Sequence, residues 1–96
     1  MVIEIAVLPV EPAAEAELAA ALASGSSFVK RQPGYRKMSW GRRVEPELAY
    51  VLMVEWDDIQ DHYNFRETSD YVEFGTLFRQ YLSGTPSVFH FEPHGD

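Results

Sequence analysis

Apolar and polar positions alternate along the chain in two distinct rhythms. Val2 to Leu8 alternates β-branched and other apolar residues around a single Glu4, and Pro9, which lacks an amide hydrogen, ends that ladder. A first strand is predicted there. After Glu11-Pro12 an Ala/Glu/Leu-rich run follows, in which Leu18, Leu22 and Phe28-Val29 recur at helical spacing. This predicts a first helix, with Gly25-Ser26-Ser27 expected to kink or stop it before Pro33-Gly34. Tyr35 to Arg43 returns to a period of two, with Arg36, Met38, Trp40 and Arg42 on one face and Tyr35, Lys37, Ser39 and Gly41 on the other. Leu48 to Trp56, a continuous apolar run broken only by Glu55, has the length and β-branched content of a central strand, and the two strands read as a hairpin.

The second half repeats the order. Asp57-Asp58 offers an N-cap to a short amphipathic piece from Ile59 to about Phe65, and Ser69-Asp70 offers another cap, with Glu73 nearby. From Tyr71, the spacing of Phe74, Leu77, Phe78, Tyr81 and Leu82 describes one apolar helical face, closed by Gly84 and Pro86. Ser87 to Glu92 reads as a last short strand, and His94-Gly95-Asp96 as a tail without regular structure. Strand, helix, strand, strand, helix, strand is the ferredoxin-like βαββαβ order: an α+β fold with helices on one face of an antiparallel sheet. The other sheet face needs a cover, and a second copy of the chain is the economical one. Residues 1–96 are expected to form one domain.

Composition narrows the partners. With 46% hydrophobic and 14% aromatic residues the chain is too apolar for disorder and too interrupted for a membrane span. Met1 to Leu8 is too short and too acidic for a signal peptide, so a cytoplasmic location is expected. A net charge of −7, with basic residues interleaved among acids, lacks the positive footprint that nucleic acid requires. The absence of cysteine removes disulfides, thiolate metal sites and cysteine nucleophiles together. His62, His90 and His94 have no spacing that places two on one helical face, so no protein-built metal site is expected, and no Gly-rich phosphate loop or nucleophile elbow is present.

At Glu55-Trp56-Asp57 and at Phe65-Arg66-Glu67-Thr68-Ser69-Asp70-Tyr71 followed by Phe74, the sequence resembles the antibiotic biosynthesis monooxygenase domain and the related stress-responsive A/B barrel domain. The shared features are a strand ending in an acidic-aromatic pair, a short helix, and a small-polar dipeptide before the longer helix. Ser39-Trp40-Gly41 and Val88-Phe89-His90-Phe91-Glu92-Pro93 also fall where those families place strands. The resemblance implies a dimeric barrel with a cavity between sheet and helices, in a superfamily that includes cofactor-independent monooxygenases, haem-degrading enzymes, plant polyketide cyclases and proteins with no known reaction. This chain departs from those patterns at two points: Phe65 stands where many monooxygenase-like members carry a histidine, and Tyr71 where the cyclases keep theirs.

Candidate chemistry rests on few residues. His62 or His90 could act as a base near neutral pH, against a helix-surface role for the first and a structural hydrogen-bonding role for the second. His90 faces away from Phe89 and Phe91, either into a pocket or toward a partner sheet. Tyr71 and Tyr50 could donate to a developing oxyanion, the alternative being core aromatics bonded to backbone. Trp40, Trp56, Phe65, Phe74 and Phe78 could line a pocket for a flat molecule, or be core and interface. Arg66 could orient a carboxylate or phenolate, or pair with Glu67 or Asp70. The expectation is a homodimeric enzyme acting on a small aromatic or apolar molecule without a bound cofactor, by monooxygenase or cyclase chemistry. The rival expectations are a non-catalytic ligand-binding or stress-associated dimer, a haem-degrading enzyme, and an oligomerisation module.

Overall fold

In a computed structural model describing residues 1–95, the elements are β1 (Val2–Pro9), α1 (Glu15–Lys30), β2 (Tyr35–Arg42), β3 (Ala49–Trp56), α2 (Ile59–Phe65), α3 (Ser69–Phe78) and β4 (Ser87–Phe91). Short 3-10 turns at Pro12–Ala14 and Arg79–Tyr81 lead into α1 and out of α3. Asp96, the last residue of the expected tail, lies outside the described residues. The strands form one sheet in the order β2-β3-β1-β4 with every neighbouring pair antiparallel, which is the α+β ferredoxin-like arrangement. β1 is therefore internal, paired on both sides.

The period-two pattern assigns the two faces. Ala6, Leu8, Leu52, Val54 and Trp56 point under the helices and are buried against Leu18, Leu22 and Val29 of α1 and Phe65, Phe74 and Phe78 of α2 and α3. Each leucine, valine and phenylalanine among them contributes roughly 1.5–3 kcal/mol through removal from water. On the opposite face the register sets Phe89 beside Ile5 beside Met53, and Phe91 beside Ile3. Ile3, Ile5 and Met53 are only half-buried there, while Phe89 and Phe91 are 55% and 44% exposed.

Three local expectations are corrected. Helix α1 runs unbroken through Gly25-Ser26-Ser27. Gly25 instead marks a close helix crossing, because a Cβ there would stand 2.7 Å from the Phe74 ring, and the Ser26 hydroxyl donates to the Ala23 carbonyl without breaking the helix. In β2, a bulge at Arg36 makes both Tyr35 and Met38 face the core, pairing with Trp56 and Val54, where simple alternation placed them on opposite faces. The cap of α3 is Thr68, whose Oγ1 accepts from the Tyr71 amide at 3.1 Å; Ser69 is already helical. Asp70 is used otherwise: it accepts from Arg31 Nη2 at 2.6 Å and Gln32 Nε2 at 2.7 Å, tying the end of α1 to the start of α3.

Helix α2 is held by a reciprocal cap. The Asp58 carboxylate accepts from the Gln60 amide at 2.8 Å, and the Asp61 carboxylate accepts from the Asp58 amide at 3.2 Å. Gly34 supports that cap from the preceding turn. Its φ is +83°, its carbonyl accepts from the Asp57 amide at 2.8 Å, and a Cβ on it would collide with the Asp61 carboxylate. Gly34→Ala is expected to lower stability by about 2 kcal/mol through the left-handed backbone alone, and more through loss of the cap, as read from urea denaturation.

Candidate functional site

A cavity of about 150 Å³ lies between the sheet and helices α2 and α3. Glu4, Ala6 and Leu8 of β1 with Leu52 of β3 form its floor, and Phe65, Phe74 and Phe78 face them from the helices. Arg66, Arg79 and Val88 line it and are exposed, so they mark its rim. The strand alternation that builds the core also builds this floor, with a carboxyl group at the position where the pattern calls for an apolar residue.

Glu4 is 7% exposed. Its Oε1 accepts from Trp56 Nε1 at 2.9 Å, and His62 Nε2 lies 3.4 Å from the same oxygen. The other nitrogen of His62, Nδ1, is 2.7 Å from His90 Nε2. Cross-strand pairing brings His90 opposite Glu4 on the helix side of the sheet, which resolves the aim of that side chain. The His62 ring stacks on Trp56 with centroids 5.6 Å apart and planes 16° apart, and this packing with the capped helix fixes the ring between its partners.

Burial pushes the Glu4 carboxyl up to about 7, against the Trp56 hydrogen bond and the positive charge of Arg66, which both favour ionisation. Burial also pushes His62 down to about 4, helped by the charges of His90 and Arg66, and it lowers His90 below the ordinary imidazole range with help from Arg66. Near neutral pH both rings are uncharged. The 3.4 Å approach of His62 to Glu4 is therefore a contact of a neutral ring with a carboxyl group in balance between its two forms, not an ion pair.

At the rim, Arg79 Nη2 donates to the Tyr71 hydroxyl oxygen at 2.7 Å, which leaves the Tyr71 proton available to a bound molecule. Tyr71 meets Phe65 edge-on, with centroids 5.4 Å apart. Arg66 has no carboxylate partner among the described residues, because Asp70 is taken by Arg31 and Gln32; the expected ion pair does not form.

Of the residues singled out from the sequence, His62, Phe65, Arg66, Tyr71, Phe74 and Phe78 line this cavity, and His90 touches it through His62. Three do not. Trp40 lies on β2, on the far side of β3 from β1, where it pairs with Leu52 and packs on the core. Tyr50 is near the opposite end of β3 from Trp56, its hydroxyl donating to Glu15 at 3.1 Å. Trp56 is wholly buried behind Glu4, where it holds the carboxyl and contributes no cavity wall. Glu4 and Arg79 were not singled out. The signal for Glu4 was present, since a lone acid among Val2, Ala6 and Leu8 has the inward parity of its strand.

Among the described residues no group of three His, Asp or Glu side chains could hold a metal ion, and His62 shows why: its two nitrogens serve partners on opposite sides. No described helix is long and apolar enough to cross a membrane.

The fold class is ferredoxin-like α+β, and comparisons narrow it to a family. The antibiotic biosynthesis monooxygenase family model matches residues 1–83, and the chain belongs to that family. It is 31% identical over 93 residues to the uncharacterized protein YczJ of Bacillus subtilis, covering 96% of this chain and 98% of YczJ. A crystal structure from Bordetella bronchiseptica, assigned to the antibiotic biosynthesis monooxygenases, superposes with a TM-score of 0.91 at 28% identity over 97% of this chain and 96% of that one. SnoaB of Streptomyces nogalater, a cofactor-independent oxygenase, shares the fold with a TM-score of 0.83 at 21% identity over 99% of this chain and 94% of its own.

The opposite shifts of Glu4 and His62 have opposite consequences for stability. A raised carboxyl stabilises the folded chain at low pH, and that contribution is lost as pH rises from 4.5 through about 7. A depressed imidazole acts the other way, its contribution being complete above 6.5 and lost as pH falls toward 4. Glu4→Gln keeps an acceptor for Trp56 and removes only the first effect. Relative to wild type, the variant is expected to gain about 2 kcal/mol of unfolding free energy between pH 5 and pH 8. A difference that stays constant across urea denaturations at the two pH values would show that Glu4 ionises as an ordinary surface carboxylate.

Proposed function

We propose that this protein is an oxygenase of small, flat, weakly acidic organic molecules, using dioxygen as co-substrate without a bound cofactor. The observation that carries the reading is the cavity itself: walls of phenyl rings, proton-accepting groups at the floor, and unpaired positive charge at the rim. A cavity of about 150 Å³ admits one benzene-sized ring, so a larger aromatic substrate extends past Arg66 and Arg79. Those guanidinium groups and the Tyr71 hydroxyl suit an enolate or phenolate oxygen, whose charge they stabilise as it develops. A floor group, with His62 among the candidates, takes a proton from the activated carbon. The carbanion's electrons pass to dioxygen and a C–O bond forms as a hydroperoxide. Loss of the second C–H proton as the O–O bond breaks then gives a ketone and one water, so that CH2 plus O2 becomes C=O plus H2O.

The protein works as a homodimer in this reading, in keeping with a cytoplasmic small-molecule enzyme. The stripe of Ile3, Ile5, Met53, Phe89 and Phe91 on the outer sheet face supports the pairing, because exposed apolar surface of that extent calls for a cover. A second reading, a ligand-binding dimer without catalysis, is favoured by Phe65, an unreactive ring in the cavity wall where the monooxygenase-like pattern has histidine. Cyclase chemistry shares the first proton transfer and differs in the electrophile.

Oxygen uptake with a panel of hydroquinones, naphthols and cyclic 1,3-diketones separates the two. The expected result is uptake with at least one of them, one O2 per ketone formed, falling about 100-fold in kcat in His62→Gln. Binding by tryptophan fluorescence with no uptake across the panel would favour the ligand-binding reading. For the dimer, sedimentation equilibrium of wild type is expected to give twice the chain mass, and Ile5→Lys combined with Phe89→Glu to give the monomer.

A further inference from the structure

We propose that Glu4, His62 and His90 form a proton relay from the cavity floor to solvent at β4, in which Glu4 takes the proton from the bound molecule and His90 hands it to water. The proposal rests on the oxygenase reading for its purpose, but its geometry stands in the unliganded chain.

Two contacts, one on each nitrogen of the His62 ring, make the line continuous: Glu4 Oε1 to His62 Nε2 at 3.4 Å and His62 Nδ1 to His90 Nε2 at 2.7 Å. Both ends are open. Glu4 lines the cavity, and its second oxygen, Oε2, has no hydrogen-bond partner among the described residues; no described buried side-chain oxygen or nitrogen is left unpaired, so Oε2 is not sealed in. The same two facts apply to Nδ1 of His90, a half-buried residue, and place that atom within reach of water. A structural role for the pair of histidines would be served by any single hydrogen bond. It does not account for a chain with one terminus in a cavity and the other at solvent.

The line has two tautomeric settings, and passing one proton along it converts one into the other. Before the transfer His62 Nδ1–H donates to His90 Nε2 and the bare His62 Nε2 faces Glu4; after it, with Glu4 ionised again, His90 Nε2–H donates to His62 Nδ1 and His62 Nε2–H points at the carboxylate. When Glu4 takes a proton from a bound acid, it passes that proton to His62 Nε2 as His62 Nδ1–H moves to His90. His90, briefly carrying protons on both nitrogens, releases one to water. No electrons are exchanged and no group changes oxidation state; the proton lost by the ligand appears in solvent. The groups that face Glu4 suit this transfer. Trp56 from β3 only donates, and His62 from α2 and His90 from β4 are neutral near pH 7; Arg66, beyond α2, supplies the positive charge that lets the carboxylate form, while Tyr71 and Arg79 stand across the cavity. A carboxyl balanced near neutral pH can accept and release with little bias.

The test is a pH titration of the ligand-free full chain by NMR, with 13C-labelled glutamate and 15N-labelled histidine. The relay predicts that the Glu4 carboxyl carbon titrates near neutrality and that His62 Nδ1 and Nε2 exchange their protonated and unprotonated shifts at the same midpoint, with no positive ring formed. Glu4→Gln should abolish that histidine inflection, and His90→Gln should abolish the tautomer exchange of His62 while leaving Glu4 titrating. Histidine nitrogens that show no inflection at the Glu4 midpoint, or that charge independently near the ordinary imidazole value, overturn the relay. Because no substrate is present, a failed oxygen-uptake assay does not bear on this result. With a turned-over substrate, Glu4→Gln is expected to lose about 100-fold or more in kcat, and an unchanged kcat overturns Glu4 as the acceptor.

Discussion

A carboxyl group buried in an internal strand is costly unless something receives it, and much of the inner architecture can be understood from how Glu4 is received. Trp56 is fixed at the end of β3 by complete burial, and its only polar atom is spent on Glu4. His62 is carried to the same oxygen by α2, whose start is locked by the Asp58–Asp61 cap and by the left-handed turn at Gly34. His90 arrives from β4 by strand register. Three elements thus converge on one side chain of β1 that hydrophobic packing alone would replace with valine or leucine. The buried acid gives this corner ionisable groups of shifted pKa as well as packing.

The same sheet has two unlike faces. Toward the helices it is dense, with Leu8, Val54 and Trp56 at 2%, 1% and 0% exposure, and the cavity is a gap in that packing beside the acid. On the other side the apolar row through Phe89, Ile5 and Met53 lies open in the single chain. No element among the described residues covers it. The catalytic reading and the dimer reading therefore concern opposite sides of one strand, β1, whose even positions serve the cavity and whose odd positions serve the outer face.

How much of this was legible in the sequence can be argued residue by residue. The strands and helices were, because alternation in Val2 to Leu8 and the 3.6-residue rhythm of Phe74, Leu77 and Phe78 are local consequences of which side faces water. The aromatic wall of Phe65, Phe74 and Phe78 was legible for the same reason. Trp40 and Tyr50 were misplaced because an aromatic residue in a strand says nothing of how many strands separate it from a cavity. Gly25 was read as a helix breaker because the approach of Phe74, nearly 50 residues later, is invisible in its neighbours.

The sequence by itself determined the order of elements, the ferredoxin-like class, and a pool of His, Tyr and aromatic candidates, since each follows from short-range periodicity and residue chemistry. Only the tertiary structure decided which of those candidates meet. Glu4, His62 and His90 are separated by 58 and 28 residues along the chain, and no local pattern links them. Antiparallel register, the bulge that resets β2, and the angle at which α2 leaves its cap are set by the packing of the whole core, and they bring an acid and two imidazoles into one line of contacts.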